Sequence, residues 1–386
     1  LELSNSQAAW VQMAFYGGYF CMALPAAMLM RKYSYKTCIL IGLALYAVGA
    51  LLFYPAALTE KFWFFCLALY ILTFGLAFLE TAANPYVLAL GDKETATQRL
   101  NLAQAFNPVG LIVGLLIAQQ FVLKKLQSDD IADFSILDEA SKILIKTSDL
   151  LVIRNPYVVL GLVITAVLVL FATIKMPHYK DSKGMPSIGS TFSTLAKNNR
   201  YVFGVIAQFV NVGAMIMCWT YIYQYAEAIG ISSVTAGYYQ MAAFILFTIG
   251  RGFGTYLLRF VNAGKLLMYF ALFAMGFILG AVFITGIIGL YSLVLVSFCL
   301  SLMFPTIYGI ALGNLDEEQS KIGSAGLVMA IVGSALLPKL QGAIIDIGGR
   351  GVNDTLIIGV SEVNFSFLLP LLCFAYIAMY GSKTAQ

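Results

Sequence analysis

Residues 62–90 read FWFFCLALYILTFGLAFLETAANPYVLAL, a run of 29 residues that is apolar almost throughout and yet carries a carboxylate, Glu80, with Asn84 and Pro85 shortly after it. A bilayer core takes roughly 20 apolar residues per helix, so this stretch alone is long enough to cross a membrane. An acid inside such a helix costs on the order of 2.5–3.5 kcal/mol. Glu80 is therefore expected to face a bundle interior or a water-filled cavity.

Outward from that stretch the pattern repeats. Apolar runs fall at about 7–30, 37–58, 62–90, 100–123, 155–176, 200–224, 236–258, 266–286, 288–312, 322–346 and 362–380, eleven in all. The 386 residues are 60% hydrophobic and 11% charged, with a mean hydropathy of +0.86, far from the balance of a soluble domain. Because the runs are continuous and not short alternating segments, a β-barrel is excluded. The fold class is an all-α polytopic membrane protein.

The net charge of +4 is spread over short loops without a basic run, so positive-inside topology accounts for it and no nucleic-acid partner is expected. Alternate loops hold fourteen Lys/Arg on one side (Arg31, Lys93, Arg99, Arg200 and Lys265 among them) and seven on the other. The richer side is read as cytoplasmic, which puts the N-terminus outside and the C-terminus inside. A chain that starts outside at Leu1 is expected to lack one preceding helix of roughly 20 residues, and Ser4 or Asn5 is expected to cap the helix that follows.

Two polar intervals interrupt the runs. Residues 124–154 form a charged external segment with weak helical periodicity, read as a surface helix. Residues 176–200 are rich in Pro, Gly, Ser and Lys and read as a linker. The expected organisation is an N-terminal bundle over 1–176, a linker over 177–199 and a six-helix bundle over 200–386. The two halves also echo each other: ANPYVLALGDKETATQR (83–99) and MFPTIYGIALGNLDEEQSK (303–321) both place a proline before an acid-containing loop, as parallel transporter repeats do.

LETAANPYV (79–87) followed by RLNLAQAFNPVG (99–110) closely resembles the corresponding stretch of the L-fucose:proton symporters of the major facilitator superfamily. MAFYGGYF (13–20), RKYSYK (31–36), CWTYIYQYA (218–226), IGRGFGTYLLRF (249–260) and FPTIYGIALGNL (304–315) agree in order along the chain. The resemblance implies a two-bundle, twelve-helix, alternating-access importer of a monosaccharide with a proton in a bacterial inner membrane, with the family's first helix missing here. It implies that Glu80 serves sugar recognition and proton coupling and that Gln104 and Asn107 are amides near the sugar. Departures lie at Ala27, at Asn211 and in LLPKLQGAIID (336–346), the last closer to the related glucose/galactose branch.

The residues carry their own reading. Desolvation favours the neutral form of a carboxyl, which makes Glu80 a candidate proton carrier. Asn84, four residues on, shares its helix face, and either orients the carboxyl or caps backbone groups freed by Pro85. Glu80 lies about 18 Å from Asp92 and Asn107 about 12 Å from Arg99 along their helices, so both fall near mid-membrane. Amides such as Gln104 and Asn107 offer donors and acceptors to vicinal hydroxyls; as glue between helices they would do the same for a neighbour. In the seventh family span Gln208 and Asn211 stand three residues apart, with Trp219 and Tyr223 beyond. Trp219 is read as a substrate contact or an interfacial anchor.

Arg251, in GRGFG, is expected to snorkel beside a close helix contact. Lys339 and Asp346, seven apart, are expected to pair. The six cysteines fall inside runs without CxxC spacing and read as packing residues; His178 reads as a solvated loop residue. No metal or cofactor is expected. A single His and isolated acids do not make an active site, so an enzyme is set aside, and a sugar sensor that does not transport is the remaining rival. Sugar, proton and lipid bilayer are the expected partners of a chain expected to work as a monomer.

Overall fold

The structure is a computed structural model that describes residues 5–126, 138–177, 187–347, 355–357 and 359–385. Among the described residues nine helical segments are long and apolar enough to cross a membrane: α2 (Tyr35–Thr59), α3 (Phe62–Ala89), α4 (Lys93–Val122), α5 (Glu139–Thr173), α7 (Asn199–Ala228), α9 (Ala263–Phe283), α10 (Ile287–Leu312), α11 (Glu317–Ile345) and α12 (Glu362–Thr384). The other two expected runs are also helical, as α1 (Asn5–Lys32) and α8 (Ser233–Leu257). A short helix α6 (Ile188–Lys197) precedes α7. The only strands among the described residues are the two-residue pair Leu356–Ile357 and Val360–Ser361.

Short loops give their polar residues to helix ends. Ser34, Asp138, Asn198, Ser232 and Asn262 each accept a backbone N–H of the following helix, and Asp316 with Gln319 forms a capping box at α11. Each such cap contributes on the order of 1 kcal/mol. At the opposite pole of α5, Lys36 Nζ donates to the carbonyls of Ala172 and Ile174 at 3.0 and 2.7 Å, a cation where the helix dipole is negative. The expected cap at Ser4 lies outside the described residues, as does His178.

Contacts group the chain into two compact units, residues 1–83 with 113–183, and residues 84–112 with 184–386. In the first unit α2 and α3 cross with almost no gap, because a Cβ at Gly75 would collide with the Tyr46 backbone; small residues are what permit such contacts between membrane helices. The ring of Phe53 stacks on Tyr157 of α5 with centroids 3.7 Å apart. In the second unit α7 is surrounded by α10, α11 and α12. Its C-terminal end is tied down by Tyr225, whose hydroxyl donates to Ala281 O at 2.8 Å, and by Asn364, whose Nδ2 donates to the same carbonyl at 2.8 Å.

Two expectations need revision. The charged segment before the fifth span is not a separate surface helix: from Glu139 it runs without a break into the span, 35 residues in one piece with Pro156 inside it. The linker is not wholly irregular either. Ser187 caps α6, and Thr191 and Leu195, four apart, bury its one apolar face. Lys339 and Asp346, expected to pair, stand seven residues apart, about 10 Å along a helix. All six cysteines are free thiols.

Candidate functional site

Pro108 sets the local geometry of α4. It has no N–H, so the carbonyl four residues earlier, that of Gln104, is denied its helical donor. The helix breaks there into Ala96–Gln104 and Phe106–Ile117, and Ala105 N reaches back only to Leu102 O, at 3.1 Å. The freed carbonyl is taken by α8: Arg251 Nη1 donates to Gln104 O at 3.1 Å. Arg251 is only 3% exposed, and its guanidinium lies over the Phe247 ring at 5.0 Å. The expected snorkelling arginine instead turns inward, because a carbonyl stripped of its donor is waiting there.

The same segment of α4 is held by further polar contacts. Gln104 Nε2 donates to Asn84 Oδ1 at 2.8 Å, so two of the expected site residues do meet. Asn101 is fully buried and donates through Nδ2 to Thr97 O at 2.9 Å and to Thr306 Oγ1 of α10 at 3.1 Å. Thr97 packs straight onto Gly309, where any Cβ would lie 2.7 Å from its hydroxyl. Asn107, beyond the break, is exposed and takes no part in this network.

On α7 the arrangement is different. Gln208 and Asn211 are 0% and 1% exposed, and neither the nitrogen nor the oxygen of either amide has a hydrogen-bond partner in the protein. Each buried polar group left unpaired costs about 1–3 kcal/mol, and folded proteins keep few of them. Four such atoms within one helical turn amount to a preformed set of donors and acceptors. The spacing of two amides at i and i+3 suits a pair of neighbouring hydroxyls.

Trp219 is engaged by its neighbours within the second unit. Its indole N–H donates to Ser297 Oγ of α10 at 3.2 Å, and its ring meets Phe244 and Phe247 edge to face at 5.0 and 5.1 Å. Since Phe247 also lies under Arg251, a continuous path of contacts runs from Trp219 through Phe247 and Arg251 to Gln104. Tyr223 is 41% exposed.

Glu80 belongs to the first unit and is half-buried. There the buried phenol of Tyr19, on α1, lies within its electrostatic reach. Among the described residues no three His, Cys, Asp or Glu come together as a metal site would need.

Two features escaped the sequence reading. Gln240 on α8 and Gln341 on α11 are buried amides whose Oε1 atoms are unpaired, although Gln341 Nε2 donates to Ser366 Oγ at 3.0 Å. The signal was present, since any amide within an apolar run merits the attention given to Gln208. Asn101 is the second, an amide two turns before Pro108 within the run 100–123.

Comparisons with known proteins agree on the architecture. A family description, the Major Facilitator Superfamily, matches residues 1–338. The chain is 52% identical over 389 residues to a protein of Haemophilus influenzae named L-fucose-proton symporter, covering 99% of this chain and 89% of that one. It is 33% identical over 384 residues to a Brucella abortus protein named glucose/galactose transporter, covering 98% and 86%. Among solved structures, one of the Escherichia coli fucose:proton symporter aligns with a TM-score of 0.89 at 34% identity, over 99% of this chain and 92% of that one.

Proposed function

The chain belongs to the Major Facilitator Superfamily, and from that premise we propose that it imports L-fucose together with a proton by alternating access. The observation that carries the reading is the pair of fully buried, unpartnered amides at Gln208 and Asn211, a polar set suited to sugar hydroxyls inside an apolar helix. L-Fucose is favoured over glucose or galactose by the greater likeness to the protein named L-fucose-proton symporter than to the one named glucose/galactose transporter.

In this reading Glu80 is the proton carrier. A charged carboxylate is costly to carry through a closed, low-dielectric state, whereas a neutral one hydrogen-bonded to sugar is not. Proton and sugar then cross together. Gln104 and Asn107 contribute from α4, Asn84 positions Gln104, and Gln208 and Asn211 contribute from α7. Trp219 supplies an aromatic wall whose N–H is already engaged with Ser297. The protein works as a monomer in a bacterial inner membrane, with its C-terminus in the cytoplasm. The rocking bodies are residues 1–176 and 200–386, with 177–199 between them. It is a transporter and not an enzyme.

The test is external pH in lightly buffered cells expressing the full-length protein, pulsed with L-fucose, D-galactose, D-glucose or D-mannose. The expected result is alkalinisation with L-fucose that Glu80→Gln abolishes. A rise with glucose or galactose alone moves the protein to that branch of the family. No rise with any sugar, despite membrane expression, overturns symport.

A further inference from the structure

Between the first turn of α7 and the last two turns of α12 lies a recess of about 340 Å³, lined by the cations Arg200 and Lys383 together with Asn199, Phe203, Met379 and Tyr380. It is built, not incidental. Tyr380 is buried and its hydroxyl donates to Arg200 O at 3.1 Å, while Arg200 Nε donates to Ile310 O of α10 at 3.0 Å. That bond fixes one edge of the guanidinium and leaves its other N–H groups for a second acceptor. Lys383 Nζ stands 5.1 Å from the centre of the Phe203 ring, which holds its aliphatic stem across the recess.

Neither cation has a carboxylate within 4 Å among the described residues. The acids at the start of α11 are already engaged, Glu317 and Glu318 lying 3.1 and 3.0 Å from Lys321. The wall, by contrast, is apolar and open: Phe203 and Met379 are 36% and 42% exposed. Both cations sit at the ends of membrane-length helices, where the hydrocarbon gives way to headgroups. Two uncompensated positive charges above an exposed apolar wall match an anion that carries acyl chains, and basic clefts of this kind on the cytoplasmic side hold anionic lipid headgroups.

We propose that this recess binds the phosphate of an anionic phospholipid, gripped by Arg200 and Lys383, with its first methylenes against Phe203 and Met379. The site is separate from the amides of α7 and rests on the membrane reading of the chain, not on the identity of the sugar. Its lipid lies in the cytoplasmic leaflet under the orientation proposed above.

Native mass spectrometry of the full-length purified protein tests it, with phosphatidylglycerol and phosphatidylcholine of equal chain length titrated after delipidation. One phosphatidylglycerol is expected to bind about thirtyfold more tightly than phosphatidylcholine, from two headgroup-level cations. Arg200→Gln with Lys383→Gln should erase the preference. Lys383→Gln alone should lower it about fivefold; this exposed side chain makes no fold-bearing bond, so that variant decides the matter if the double variant does not fold. Arg259→Gln with Lys265→Gln, two exposed cations at the same end of the bundle, should leave it intact. Equal binding of the two lipids, a preference that survives loss of both cations, or an equal loss in the control pair overturns the proposal. So does complete displacement by millimolar inorganic phosphate, which would make the recess a site for the free anion.

Discussion

In α4, Asn101 and Gln104 donate to neighbouring helices and the carbonyl freed by Pro108 receives Arg251; in α7, Gln208 and Asn211 are as deeply buried as Asn101 and meet nothing in the protein. Both regions place amides inside apolar helices, and hydropathy treats them alike. Partnership separates them. An amide that donates to a neighbouring helix contributes to holding helices together, even with its oxygen left open as at Asn101 Oδ1, whereas one with both its nitrogen and its oxygen open costs stability, the kind of local violation that functional sites carry.

That contrast breaks most directly at α7. Replacing Gln208 and Asn211 together with leucine should lower sugar uptake about a hundredfold, the loss of roughly two hydrogen bonds to a bound substrate. Thermal stability in detergent should hold or rise, because two unsatisfied amides give way to apolar side chains. A large fall in melting temperature with transport intact would reverse the assignment of the two regions.

The opposite signature is expected at α4. Arg251→Leu strands the part-buried Gln104 carbonyl and should destabilise the protein by about 1–3 kcal/mol. Pro108→Ala supplies the missing helical N–H, so in that background the same substitution should cost distinctly less. A double-mutant cycle of melting measurements that gave no coupling between Arg251 and Pro108 would remove the explanation of the arginine offered above.

Trp219→Phe sharpens the comparison, since it deletes one donor and keeps most of the ring. Loss of the bond to Ser297 should cost about 1 kcal/mol, and the affinity for sugar should change little if the indole N–H serves the fold alone. A change of tenfold or more in affinity would move Trp219 to the side of Gln208.

The smallest effect belongs to the first unit, outside the membrane. Lys146 Nζ lies 2.8 Å from Glu60 Oε2, and its hydrogen bond holds the Glu60 carboxyl below its ordinary value. The folded protein therefore binds that proton less readily than the unfolded chain does. The contribution is complete above the ordinary Glu pKa and is lost as pH falls through the lowered one. With side chains 38% and 35% exposed, the pair is worth a few tenths of a kcal/mol at most. Melting of Glu60→Gln against wild type should differ slightly at neutral pH and converge in acid.

Hydropathy made the helices legible because bilayer thickness fixes how many apolar residues each must carry. It misjudged the places where one element runs into the next. α5 starts sixteen residues before its apolar run because nothing between Glu139 and Asn155 breaks a helix, and α6 hides in a stretch whose Ser and Thr content reads as loop. At the site, residue type was legible and satisfaction was not. Gln104 finds its partner on another helix, twenty positions back at Asn84, Gln208 finds none in the protein, and the inward turn of Arg251 depends on a proline 143 residues before it. Only the tertiary arrangement brings those facts together.

The break in α4 has one last consequence. Its freed carbonyl, part-buried, has a donor only while α8 lies against it, and a carbonyl left bare away from water is expensive. Any motion that draws α8 away must therefore let solvent in at the same moment, with at least one molecule replacing Arg251 on Gln104. Hydration at this seam is thus a condition of movement and not its by-product, and the motion should be slower in D2O or under osmotic stress than a dry sliding of helices would be.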